Sequence, residues 1–283
     1  MIFVNIVSYR DPELKKTITN LIDNAEHKEL LRIVVFEQND PLDQSIEGLF
    51  SSVLLLKTNA KNAKGPYWAR SIVQKYYRGE EYYLQIDSHT RFIKNWDSDL
   101  KFMLFKLPEK SILTQYPPEY SIKNDKLNVN IIRSGLYVKN IGKDNFTRIQ
   151  SDIISNYGLL PRYHPYTSKA WAACFSFSKG SIVKDAPYDS DIEHLFFGEE
   201  MDITVKLFSK GYEFYSPNKT IVFTTFKRDY RPFFKIDKNI QRQSIIKIKS
   251  RMKKLKLKEY LNFADITDDY HFKKTAKALR RLS

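Results

Sequence analysis

The sequence predicts an α/β protein built on a doubly wound sheet, and three observations carry that expectation. Ile2–Val7, apolar but for Asn5, and Arg32–Phe36, apolar after Arg32, are joined by a stretch of helical spacing, the opening of a strand–helix–strand unit. Within Glu80–His89, Tyr82–Ile86 is aromatic and aliphatic but for Gln85, and the stretch ends in Asp87 and His89. Charged residues at the carboxyl end of a buried strand sit where open α/β sheets bind their ligands. With 283 residues, 42% of them hydrophobic, the chain has material for one large domain with a sizeable core.

Taken in order, the Ile2–Val7 strand breaks at Ser8-Tyr9-Arg10-Asp11-Pro12, and Pro12 is suited to opening a helix whose inner face is Leu14, Ile18, Leu21 and Ile22. The second strand stops at the turn Glu37-Gln38-Asn39-Asp40-Pro41, and Val53–Leu56 is a third. After Gly65-Pro66, the residues Trp68, Ile72, Val73 and Tyr76 mark the inner face of a helix that ends near Gly79. The Asp87 strand follows, then a helix capped by Asn95 or Asp97 and a strand over Ile112–Thr114. Residues 119–168 carry weak patterns and read as irregular hairpins and loops. Ala170–Phe177 reads as a strand lining a cleft. A helix with Met201, Val205 and Phe208 inward runs to Gly211, and Thr220–Thr225 is a last strand. The tail spaces Ile245, Ile248, Met252 and Leu255, then Phe272, Ala276 and Leu279, as two amphipathic helices with basic outer faces.

Composition removes several classes. One cysteine, Cys174, excludes an intramolecular disulfide and a cysteine-rich zinc site, and it permits a reducing compartment. The apolar start lacks a basic leader and reads as a strand, not a signal peptide, and no run is long enough to span a membrane. A cytoplasmic location follows as an expectation. The phosphate-loop and Gly-x-Gly-x-x-Gly signatures are absent. Of the net charge of +14, residues 235–283 hold +10 and residues 1–234 only +4, which divides the chain into a body and a basic tail. A solvated face is the plain reading of such a tail. Apolar residues between the basic ones make peripheral contact with an anionic membrane its competitor, and no nucleic-acid motif appears.

Two constellations can carry chemistry. Asp87 and His89 offer a carboxylate and an imidazole to a divalent cation, against the plain alternative of a turn cap and a solvated histidine. Glu199 and Glu200, after Phe196-Phe197-Gly198, present carboxylates at a helix start, where the macrodipole also favours them for structural reasons alone.

These segments, with Gly65-Pro66-x-Trp68-Ala69-Arg70, Arg91-Phe92 and Tyr116-Pro117-Pro118, resemble the GlcNAc-transferase family that contains the cytoplasmic hydroxyproline α-GlcNAc-transferase. Their layout is similar to that of mucin-type polypeptide GalNAc-transferases. The likeness runs from about residue 2 to 234 and leaves the basic tail outside. It implies a GT-A, Rossmann-like mixed sheet flanked by helices, a UDP-sugar donor such as UDP-GlcNAc, Mn2+ or Mg2+, retention of configuration, and a protein or glycan hydroxyl as acceptor. By the same resemblance Asp87 and His89 hold the metal and diphosphate, and Ser8, Arg10, Glu37, Asn39 and Asp40 lie near the uridine. Arg70 faces the nucleotide, Ala172 and Ala173 wall the sugar pocket, and Glu199 bonds sugar hydroxyls with Glu200 nearby. Such enzymes commonly carry a His after the last strand to complete the metal site. Thr224 stands there instead, and Arg228 and Arg231 are candidates to supply positive charge to the diphosphate. Another donor sugar, an inverting mechanism using Glu199 or Glu200 as base, and a non-catalytic basic binding protein are the alternatives.

Overall fold

A computed structural model describes residues 1–123, 126–129, 134–153, 165–226, 230 and 234–266. The chain runs β1 (Ile2–Tyr9), α1 (Leu14–Asp23), β2 (Leu31–Asn39), β3 (Val53–Asn59), α2 (Pro66–Gln74), β4 (Tyr82–Asp87), β5 (Thr90–Phe92), α3 (Trp96–Phe105) and β6 (Ser111–Thr114). Two hairpins follow, β7 (Tyr120–Lys123) with β8 (Lys126–Val129) and β9 (Ser134–Ile141) with β10 (Thr147–Ile153). Then come β11 (Tyr166–Ser168), β12 (Phe175–Lys179), α4 (Ile182–Asp185), α5 (Glu199–Ser209), β13 (Glu213–Ser216), β14 (Val222–Thr224), α6 (Lys238–Lys254) and α7 (Leu257–Phe263).

Eight strands form one mixed sheet in the order β11-β13-β6-β12-β4-β1-β2-β3. β3, β2, β1 and β4 are parallel, whereas β12 runs antiparallel to both β4 and β6. The pleat sends alternate side chains to opposite faces, and both faces are covered. Ile2, Val4 and Ile6 enter one core with Leu14, Ile18 and Phe177, while Phe3 enters the other with Tyr67, Tyr83 and Trp171. Burial on both faces is what makes β1 a nearly continuous apolar run, interrupted by Asn5, whose amide donates to the Tyr83 hydroxyl at 2.7 Å.

Several boundaries differ from the sequence reading. β2 continues through Glu37, Gln38 and Asn39, because parallel partners on both sides satisfy its backbone there. Pro12 opens the turn before α1 and lies outside the helix. The buried side of α2 is Tyr67, Ala69, Arg70 and Val73, while Tyr76 lies past the helix and is exposed, so the helix turns polar groups inward. Only Phe175–Phe177 of the expected strand belong to β12; Ala170–Cys174 form the turn before it. β14 leaves the main sheet and pairs with β5.

The first tail helix packs on the body. Ile248 and Met252 of α6 are fully buried in the same core as Phe3, with Ile245 and Leu255 packed against it. α7, which the spacing did not announce, adds Leu257, Tyr260 and Leu261 to that core. The expected helix over Phe272, Ala276 and Leu279 lies outside the described residues. Among the described residues no helix is long and apolar enough to cross a membrane.

Candidate active site

Parallel pairing brings three strand ends to one edge, with Val7 opposite Asp87 and Ser8 opposite Glu37. This is the carboxyl edge, where open α/β sheets place ligands. A cleft of about 620 Å³ opens beside it, with Arg70, Asp87, Ala173, Glu199 and Glu200 among its lining.

Asp87 uses its two oxygens differently. Oδ1 accepts from Arg70 Nη2 at 2.9 Å, while Oδ2 stands 3.6 Å from His89 Nε2. Behind the imidazole, His89 Nδ1 lies 2.9 Å from Asp11 Oδ2, which also accepts from the Ser88 hydroxyl at 2.8 Å. Burial pushes the Asp11 carboxyl upward, but the hydrogen bond and charge of His89 and the Ser88 hydroxyl outweigh it and hold it at about 2. An ionised Asp11 can only accept, so Nδ1 donates to it and Nε2 is the ring nitrogen left facing Asp87. One oxygen and one nitrogen facing each other, with a carboxylate orienting the imidazole from behind, suit a divalent cation such as Mn2+. Among the described residues no group of three or more His, Cys, Asp or Glu side chains offers a fuller set.

Glu199 and Glu200 are aimed by Gly198. Its φ of +111° favours glycine, and a Cβ there would lie 2.8 Å from the Phe146 ring. Glu199 Oε1 accepts from Arg70 Nη1 at 2.6 Å and from the Tyr188 hydroxyl at 2.7 Å. Burial raises the Glu199 carboxyl against the pull of Arg70. Burial likewise opposes the Arg70 charge, yet Glu199 leads the neighbours that outweigh it, so the guanidinium stays protonated. Glu200 accepts from the Tyr116 hydroxyl at 2.7 Å and from the Ala173 N–H at 3.1 Å. Burial still dominates, pushing Glu200 up to about 7.

The family model of the GlcNAc glycosyltransferases matches residues 1–49 and 43–277. The chain belongs to this glycosyltransferase family. The match takes in α6 and α7, which the sequence motifs had left outside. No curated protein matches the sequence. Among solved structures, GalNAc-T7 with UDP, GalNAc and Mn2+ is 14% identical with a TM-score of 0.67, covering 92% of this chain and 49% of that one. The chain therefore spans about half the length of GalNAc-T7. TarS 1–349 of S. aureus with UDP-GlcNAc is 13% identical at TM-score 0.53, over 99% of this chain and 72% of that one. The mannosyltransferase PcManGT from Pyrobaculum calidifontis, with GDP-Man and Mn2+, is 10% identical at TM-score 0.54, over 99% and 74%. Likeness at these identities speaks to the fold, which is GT-A.

In this family member the sequence-predicted residues separate into two groups. Asp87, His89, Arg70 and Glu199 form one linked chain, with Glu200 beside it on the cleft. Ala173 lines the cleft, whereas Ala172 is fully buried beneath it with its N–H on Thr114. At the edge expected to meet the uridine, Ser8 Oγ and Asn39 Oδ1 are buried without a hydrogen-bond partner among the described residues. The other three are engaged with the protein itself. Arg10 pairs with Asp40 at 3.0 Å and Asp43 at 2.7 Å, and Glu37 accepts from Ser45 and the Ile46 N–H. Thr224 is buried on β14 opposite Thr90, the residue after His89. Arg228 and Arg231 lie outside the described residues.

Sequence reasoning missed Asp11, Tyr116 and Tyr188. Asp11 had a signal, since it belongs to the Ser-Tyr-Arg-Asp-Pro segment on which the family likeness rests. Tyr116 had one too, in the Tyr-Pro-Pro segment of the same likeness, whereas Tyr188 had none in a chain holding 18 tyrosines.

Proposed function

We propose that this protein transfers GlcNAc from UDP-GlcNAc to a hydroxyl of a protein or glycan acceptor, using a divalent cation, Mn2+ or Mg2+, with retention of the α configuration. The observation that carries the reading is the Asp87–His89 pair, oriented by Asp11 and joined through Arg70 to Glu199 at the cleft. Asp87 and His89 would hold the cation, with Thr224 a third position that a hydroxyl or a water fills less strongly than imidazole. When bound there, the cation supplies positive charge that stabilises the departing diphosphate. Arg70 adds a fixed positive charge close to Asp87, and Arg228 remains a sequence-based candidate for the same role. Ser8 and Asn39 flank the uridine, while Arg10, Glu37 and Asp40 fix the loop around it. Glu199 and Glu200, with Ala173, shape the sugar pocket and bond its hydroxyls. The acceptor hydroxyl enters on the side of the leaving group and passes its proton to a diphosphate oxygen.

One observation favours a second reading. Glu200 is half-buried at the cleft and pushed up to about 7, which suits a general base in an inverting reaction. A panel of nucleotide sugars, with Mn2+ present and free nucleotide measured, tests the function. Release from UDP-GlcNAc above other donors supports it, and no release from any donor sinks it. The anomeric configuration of the product, read by NMR, decides between retention and inversion. Peripheral contact with an anionic membrane is a proposal too, resting on the basic excess of residues 235–283, and a cytoplasmic location is another, resting on the single cysteine.

A further inference from the structure

Tyr67 and Arg70 lie one turn apart on α2, and Glu199 and Asp202 one turn apart on α5, so each pair shares a helix face. The two faces meet across two rungs. In the first, Arg70 Nη1 donates to Glu199 Oε1 at 2.6 Å; in the second, the Tyr67 hydroxyl donates to Asp202 Oδ2 at 2.7 Å. Tyr188 ties the rungs together. Its ring packs edge-on against Tyr67 with centroids 4.7 Å apart, and its hydroxyl donates to Glu199 at 2.7 Å.

Asp202 has no exposed surface, and a carboxylate buried that deeply needs a countercharge. That charge arrives from the C-terminal helix. Arg251 of α6 donates from Nε to Asp202 Oδ1 at 3.0 Å and from Nη2 to Oδ2 at 2.6 Å, a two-pronged grip that an ammonium cannot copy. Arg251 also pairs with Asp189, and Lys206 Nζ stands 3.0 Å from Asp189 and 3.6 Å from Asp202. Two cations therefore balance two carboxylates, and none of the four lines the cleft. Loss of Arg251 leaves that cluster one negative charge in excess, one helical turn from Glu199.

We propose that Arg251 is a positioning residue for glycosyl transfer: by holding Asp202 it sets the second rung, and through it the Glu199–Arg70–Asp87 chain. The kinetic part rests on the transferase reading of the cleft, whereas the geometric part does not. The full chain is compared with Arg251→Met, Arg251→Lys and, as control, Lys247→Met, which removes an exposed cation of the same helix. Cys174 is the single cysteine and lines the cleft next to Ala173, whose N–H bonds Glu200, so its maleimide-labelling rate reports site geometry without any substrate. In protein that still melts cooperatively, Arg251→Met should lower kcat about tenfold or more with donor KM within about threefold. It should also label Cys174 faster, with Arg251→Lys between it and the parent and Lys247→Met unchanged. A folded Arg251→Met with parental kcat and labelling overturns the proposal. Should Arg251→Met fail to fold, Arg251→Lys decides by the same two readings. Should the parent chain turn over no nucleotide sugar, the transferase reading fails, and labelling alone decides the positioning: faster in Arg251→Met supports it, equal rates overturn it.

Discussion

Replacing Glu200 by Gln isolates the energy stored in one buried carboxyl. Burial raises Glu200 from 4.5 to about 7 in the folded chain. At about 1.36 kcal/mol per pKa unit, that difference amounts to about 3 kcal/mol. Its sign follows from the neutral form being favoured in the fold. The stabilising contribution is complete below pH 4.5 and is lost as pH rises through 7. Gln keeps the shape and both contacts, its oxygen accepting from Ala173 N–H and its amide donating to the Tyr116 oxygen. It has no charge to bury. Glu200→Gln should therefore match the parent near pH 4.5 and exceed it by about 3 kcal/mol near pH 8.5, a gain on the order of 5–10 °C in melting temperature for a chain of this size. Urea or thermal unfolding of both proteins across that range is the assay. Parallel stability curves, with no divergence through pH 7, would refute the claim that burial holds this carboxyl protonated.

Three further outcomes are expected. Asp11→Asn should weaken Mn2+ binding by about 10- to 100-fold by releasing the His89 ring, and calorimetric titration checks it. In the parent, the stability contributed by Asp11, about 2 kcal/mol, is present above pH 3.8 and is lost as pH falls toward 2, a loss the variant should not show. Thr224→His should tighten Mn2+ about tenfold if the position belongs to the coordination sphere, and unchanged affinity in folded protein removes it from the site. A chain ending at Ile266, which keeps α7 and its buried contacts, should lose sedimentation with anionic vesicles that the full chain shows at low salt; equal binding by both shows that the terminal residues are no anchor.

Much of this architecture is written in hydrophobic pattern. β1, β2 and β4 announce themselves because strands covered on both faces read as continuous apolar runs, and Asp87 stands out for ending one. Polar residues that point inward are where pattern fails. Arg70 lies on the buried face of α2, so counting apolar residues selected Tyr76, which is exposed. Arg251 sits in a basic run and reads as part of a solvated face, yet Asp202, 49 residues earlier, draws it into the interior. Nothing local to either residue signals the other. Glu37 misleads in the opposite direction, a charge at a strand end that looks like a ligand and in fact caps its own loop through Ser45 and Ile46. The hairpins expected in 119–168 are present, one with a register shift between Arg148 and Ile149, but their strand limits escaped because the strands alternate weakly and pair with each other outside the main sheet.

On the proposed reading, Asp87 and His89 join a divalent cation to a nucleoside diphosphate. Calorimetric titration of UDP into the parent chain, Asp87→Asn and His89→Ala, each with and without Mn2+, tests it most directly. Mn2+ should raise the UDP affinity of the parent about tenfold or more, and neither variant should respond to the metal while both still unfold cooperatively. UDP binding by the parent that ignores Mn2+, or an equal response in either variant, would contradict it.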